Sequence, residues 1–73
     1  MVDVATEAMI HARLAENPRL DAEEIEASVY GPRVVLRGRV RTQREREEAE
    51  AAVRQMRGVE QVDNRLVVTG EPI

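Results

Sequence analysis

Two periods alternate along this chain. Over residues 6–16 the apolar positions recur at helical spacing: Ile10 and Leu14 share a face with Thr6, and Ala5, Ala8, Ala12 and Ala15 are strong helix formers. Pro18 predicts the stop, because the residue before a proline resists helical geometry, and Leu20 is placed to dock the following linker on the core. Over residues 24–30 the period drops to two. Ile25, Ala27 and Val29 point one way, while Glu24, Glu26, Ser28 and Tyr30 point the other. Gly31-Pro32 marks a turn. Over residues 34–40 the period of two returns, with Val34, Leu36, Gly38 and Val40 inward and Val35, Arg37, Arg39 and Arg41 outward. A tight hairpin then pairs Val29 with Val34, Ala27 with Leu36 and Ile25 with Gly38. It also sets Ser28 opposite Val35, Glu26 opposite Arg37 and Glu24 opposite Arg39, and the opposed charges support this register.

Thr42-Gln43-Arg44-Glu45 has the form of a capping box opening a second helix, in which Thr42 and Glu45 are structural. Ala49, Ala52, Val53 and Met56 form its apolar stripe. Glu50 and Arg54 are spaced to pair one turn apart, and Gly58 is the left-handed stop. Val59 and Val62 lead into a third strand over residues 61–69, with Leu66 and Val68 inward; residues 70–73 read as a flexible tail. The order is α-β-β-α-β. It predicts a single α+β domain over residues 1–73 with its core at about 3–69: a two-layer sandwich of a three-stranded mixed sheet and two helices on one face. The second strand is central, and a right-handed crossover makes it parallel to the third.

Composition narrows what such a domain can do. Its 73 residues include no Cys, Phe or Trp, and Tyr30 is the one aromatic side chain. The core is therefore Val, Ala, Leu, Ile and Met, whose larger members each contribute about 1.5–3 kcal/mol when buried. A chain this short buries only about 60% of its unfolded surface, which leaves little room for a deep pocket. The net charge of −3, with every basic residue an arginine, argues against a general nucleic-acid or membrane binder. No apolar run approaches the roughly 20 residues of a bilayer span. Met1-Val2-Asp3-Val4 lacks the pattern of a signal peptide, so a cytoplasmic location is expected if the chain is complete. A periplasmic or envelope location is expected if it is excised from a longer exported protein.

Three segments in order resemble the BON family, named after bacterial osmotically induced and nodulation proteins. They are Asn17-Pro18-Arg19-Leu20-Asp21 followed by Ile25; Val34-Val35-Leu36-Arg37-Gly38-Arg39-Val40; and residues 46–49 followed by Gly58-Val59-Glu60-Gln61-Val62-Asp63-Asn64-Arg65-Leu66-Val67-Val68. The resemblance covers residues 3–68. It implies an αββαβ fold and a non-catalytic module, often described as binding phospholipid or attaching proteins to bacterial membranes. One departure is expected: the tip Tyr30-Gly31-Pro32-Arg33 is one residue longer than the Asn-Gly turn common in the family.

Chemistry-bearing constellations are absent from the sequence pattern. His11 has no Cys partner and no His-carboxylate ligand spacing, so it reads as a solvent-facing helical residue rather than a metal ligand. Glu45, Glu47, Glu48 and Glu50 are interleaved with arginines and read as a solvated helix face. Ser28 lacks a base and Gly31-Pro32-Arg33 is too short for a phosphate loop. No catalytic, cofactor or metal residue is expected. Gly38 reads as structural, placed where a side chain would collide with a covering helix, and Gly58 as the supplier of a positive φ.

The one charge anomaly is residues 33–46, where Arg33, Arg37, Arg39, Arg41, Arg44 and Arg46 meet only Glu45. The stretch reads first as a solvated face; read instead as a candidate anion or partner contact surface, it comprises Tyr30, Arg33, Val35, Arg37, Arg39, Arg41 and Arg44, with Val67 adding apolar content. Glu24 and Glu26 should neutralise Arg39 and Arg37, leaving mainly Arg33 and Arg41, at about 1 kcal/mol each near an anionic membrane. The second-helix start together with the hairpin tip is the alternative surface. The expected function is a BON-type binding module contacting a phospholipid surface or an envelope component. The alternative is a protein-interaction or self-association domain, and ion or ligand sensing is a third. Nucleic acid is excluded for want of a stacking platform.

Overall fold

Residues 4–70 are described by the structure, a computed structural model; the expectations for the first three residues and for the end of the tail lie outside the described residues. The elements are α1 (Val4–Ala15), a 3₁₀ turn (Ala22–Glu24), β1 (Ile25–Tyr30), β2 (Arg33–Val40), α2 (Gln43–Arg54) and β3 (Gln61–Val68). The sheet order is β1-β2-β3, with β1 antiparallel and β3 parallel to the central β2. The hairpin register is the expected one, Ile25 with Gly38 through Val29 with Val34. Tyr30 pairs with Arg33, so the loop is Gly31-Pro32 alone. The tip is thus as short as an Asn-Gly turn and differs from it in composition, not in length.

One side of the sheet carries the core. Ile10 and Leu14 of α1 and Ala49 and Val53 of α2 cluster with Ile25, Val29, Val34, Leu36, Val40 and Leu66. Leu20 is buried among them, and Ala52, Met56 and Val62 pack at the margin. The 3.6 and 2 periods thus place both helices on the same face, because each strand offers only one apolar row toward them. Val68 is the exception on that row. It stands at the end of the edge strand, beside the buried Val40, and remains exposed.

Three local details differ from the sequence pattern. Thr42 Oγ1 accepts from the Glu45 amide at 3.0 Å, as a cap should, but Glu45 Oε1 accepts from the Arg41 amide at 3.0 Å rather than from Thr42. The capping carboxylate reaches one residue further back. Gly58 (φ +90°) does not end α2 itself. The Val59 amide bonds the Met56 carbonyl at 3.3 Å, so Gly58 occupies the position of a four-residue turn that demands positive φ, after the helix has already stopped. Gly38 is crowded by the backbone where the 3₁₀ turn enters β1 rather than by a covering helix: a Cβ built there would lie 1.9 Å from the Glu24 carbonyl oxygen.

Candidate functional site

The sheet face turned away from the helices is built by four rows across the three strands. Tyr30, Arg33 and Gln61 lie across one end; Ser28, Val35 and Asp63 follow; then Glu26, Arg37 and Arg65; then Arg39 beside Val67, with Glu24 of the 3₁₀ turn next to Arg39. Tyr30 is 45% and Val67 59% exposed, which places apolar surface at opposite corners. Val35, expected on this surface, is only 2% exposed although it lies outside the core cluster. Its strand is central, so neighbours flank it on both sides. The long side chains of Tyr30, Arg33, Arg37 and Arg65 stand on surrounding positions, and arginine stems readily cover apolar surface in this way. Val35 is thus a small second core and not a contact residue.

The charges are distributed differently from the expectation. Arg39 pairs with Glu24 at 3.4 Å, as the hairpin register requires. Arg33 and Arg41, expected to be left over, are both paired: Arg33 with Asp63 at 3.7 Å and Arg41 with Glu45 at 3.6 Å. Arg37, expected to be neutralised by Glu26 directly across the ladder, has no carboxylate within 4 Å among the described residues. The partner of Arg33 comes from β3, a strand far away in sequence, which hairpin pairing alone does not supply. Arg44 is not on the sheet face at all. It lies on α2 and pairs with Glu48 at 3.2 Å.

The hairpin tip and the start of α2 do not form one surface. They sit at opposite ends of β2, whose eight residues separate them by roughly 25 Å at about 3.3 Å per residue. The α2 end has a shallow cleft lined by Asp21, Glu24, Arg39, Val40, Arg41, Glu45 and Thr69, in which three carboxylates face two guanidiniums. Both guanidiniums there are already paired, Arg39 with Glu24 and Arg41 with Glu45.

Glu48 ties the loop before the sheet to α2. It accepts from Asn17 Nδ2 at 3.0 Å and pairs with Arg19 at 3.3 Å as well as with Arg44. The Asn17 amide, followed by the two arginines, holds its carboxyl below the ordinary glutamate range against the opposing effect of lost hydration. A depressed native pKa means that the unfolded chain binds protons first as the pH falls. This contribution to stability is therefore complete above the ordinary glutamate value of about 4.3 and is lost as the pH drops through the lower native value. Urea midpoints across a pH series should fall less steeply on acidification for Glu48→Gln than for the wild type.

Five residues absent from the sequence-derived surface make defined contacts in the structure. Asp63 and Arg65 join the open face, with Arg65 Nε donating to Asp63 at 2.9 Å; the period-two alternation of residues 61–69 could have placed them. Arg46 and Asn64 bond each other's backbone at the margin of β3, an arrangement with no local sequence signal. His11 is exposed, and its Nε2 lies 3.0 Å from the Ala22 carbonyl oxygen, bracing α1 against the 3₁₀ turn. Among the described residues no three His, Cys, Asp or Glu side chains are grouped to hold a metal ion, and no helix is long and apolar enough to cross a membrane.

A comparison with curated proteins found no match to the chain. A comparison with protein families found one that covers nearly all of it: the BON domain, matched over residues 2–70. The α-β-β-α-β order, the mixed sheet and this match agree, and the chain belongs to the BON domain family.

Proposed function

We infer that this BON domain is a protein-recognition module that uses the uncovered side of its sheet. The observation that carries this inference is the make-up of that side. It has exposed apolar corners at Tyr30 and Val67, and between them a mixed field of Glu24, Glu26 and Asp63 against Arg33, Arg37, Arg39 and Arg65. Three carboxylates against four guanidiniums do not make an electropositive plate. Most of these arginines are already engaged, and exposed, engaged charges give little attraction to an anionic bilayer. No exposed Trp or Phe is available to insert into lipid. A partner surface of mixed charge, with an acidic residue for Arg37, is the better complement, and interdigitated charge supplies specificity more than raw affinity.

Photo-crosslinking side chains installed one at a time test this assignment. Positions 30, 37 and 67 are expected to give discrete protein adducts in the source cells, while positions 9 and 13 on α1 give none. Co-sedimentation with vesicles of anionic phospholipid at low salt is expected to leave the domain in the supernatant. Pelleting with those vesicles would replace the assignment with the phospholipid contact implied by the family resemblance, and adducts only from α1 would move protein recognition off the sheet face.

A further inference from the structure

The outer margin of β3 is closed by a side-chain clasp. The amides of Gln61 and Thr69 donate to the carbonyls of Pro32 and Val40, just before and at the end of the adjacent β2. Odd-numbered residues of β3 therefore turn their backbone groups toward β2, and Val62, Asn64, Leu66 and Val68 turn theirs toward the free edge. A free edge of this kind is a template for another strand. Here its middle is occupied. Arg46 on α2 donates through Nη2 to the Asn64 carbonyl at 2.9 Å and through Nε to the Leu66 carbonyl at 3.1 Å. The Leu66 amide donates to Asn64 Oδ1 at 3.1 Å. Asn64 Nδ2 in turn donates to the Arg46 carbonyl at 3.0 Å and to Glu50 at 3.1 Å, so the clasp is anchored to α2 at two points.

The edge beneath the clasp is self-complementary. If β3 meets β3 of a second copy antiparallel about a two-fold axis at Asn64, Asn64 faces its own counterpart. Val62 then faces Leu66 twice on the core side, and Asp63 faces Arg65 twice on the open side. Moving the axis by one residue, to Asp63 or to Arg65, shifts the register by two and sets that charge against its own copy, which is unfavourable across a ladder. The favoured register would use the same Asn64 and Leu66 backbone groups that Arg46 and the Asn64 side chain now occupy.

We propose that the β3 edge is a docking site for a second copy of this chain, gated by the Arg46–Asn64 clasp. Opening the clasp gives an isologous dimer with a continuous six-stranded sheet. This edge borders the open sheet face at Asp63 and Arg65, but pairing through its backbone groups does not depend on the function assigned to that face.

Sedimentation equilibrium across a concentration series tests the gate, with circular dichroism confirming the fold of each variant. Arg46→Met is expected to lower the dimer dissociation constant at least tenfold relative to the wild type. Arg46→Lys, whose single ammonium lacks the fork that spans both carbonyls, is expected to give a smaller shift in the same direction. Adding Asp63→Arg to Arg46→Met should abolish dimerisation, and adding Arg65→Asp to that pair should restore it. A folded Arg46→Met as monomeric as the wild type would overturn the proposal. So would failure of the double charge swap to restore the dimer. Unfolding of both Arg46 variants would show the clasp to be part of the fold's foundation and would equally overturn its role as a gate.

Discussion

Gly38→Ala is expected to destabilise the domain by about 4 kcal/mol, the largest effect of any single methyl added to this chain. Two terms combine. The residue holds φ +127°, which L side chains rarely adopt, and such backbone strain costs about 1–3 kcal/mol. The new Cβ would also lie 1.9 Å from the Glu24 carbonyl oxygen and 3.2 Å from the Ile25 Cα. These are backbone atoms of the paired strand and its preceding turn, so no side chain can swing away, and forced overpacking costs about 1–3 kcal/mol more. A domain of this length has a total stability of roughly 4–11 kcal/mol, so the variant should be close to unfolded at the lower bound. Gly58→Ala is the internal control. Gly58 also has a positive φ, +90°, but nothing lies within 4 Å of the added methyl, and only the backbone term of about 1–2 kcal/mol applies. Urea unfolding monitored by circular dichroism should show the Gly38 midpoint far below that of Gly58→Ala. Equal midpoints would mean that the close approach to Glu24 is relieved at no cost.

Leu36→Ala should come next, at about 3 kcal/mol. Leu36 is fully buried on the middle strand of the core face, flanked in register by Ala27 and Asn64. The core it joins has no aromatic residue, so each of its larger aliphatic side chains carries a large share of the buried apolar area. Truncating leucine to alanine in a packed core costs about 2–5 kcal/mol, depending on how far the surroundings collapse. Collapse is limited here, because Leu36 lies on the central strand, with its own backbone groups turned to β3 and those of Val35 and Arg37 turned to β1. Val35→Ala, one residue away and equally buried, should cost only about 1 kcal/mol. It loses less volume, and the side chains around it are flexible arginines rather than interlocked aliphatics. The pair of measurements separates the two sides of the sheet. A Val35 effect as large as that of Leu36 would show that the open side holds a rigid core of its own.

The helices, the strands and the hairpin register follow from residue order alone because their causes lie within a few residues. Period-two rows put Glu24 opposite Arg39 once a two-residue turn is granted, and Thr42 caps a helix whose next residues are already in helical spacing. The mixed sheet follows as well, since strand, helix and strand in succession leave a parallel crossover as the short connection. Tertiary structure decided everything that depends on what stands beside a residue across the sheet. The burial of Val35 and the engagement of Arg33 by Asp63 depend on β3, whose spacing from the hairpin carries no period, while the hairpin register set Gly38 opposite Ile25 without showing how closely the Glu24 carbonyl approaches it. Arg46 shows the difference most plainly: its sequence neighbours mark it as one more surface arginine, and only the docking of α2 along β3 brings its guanidinium onto the carbonyls of Asn64 and Leu66.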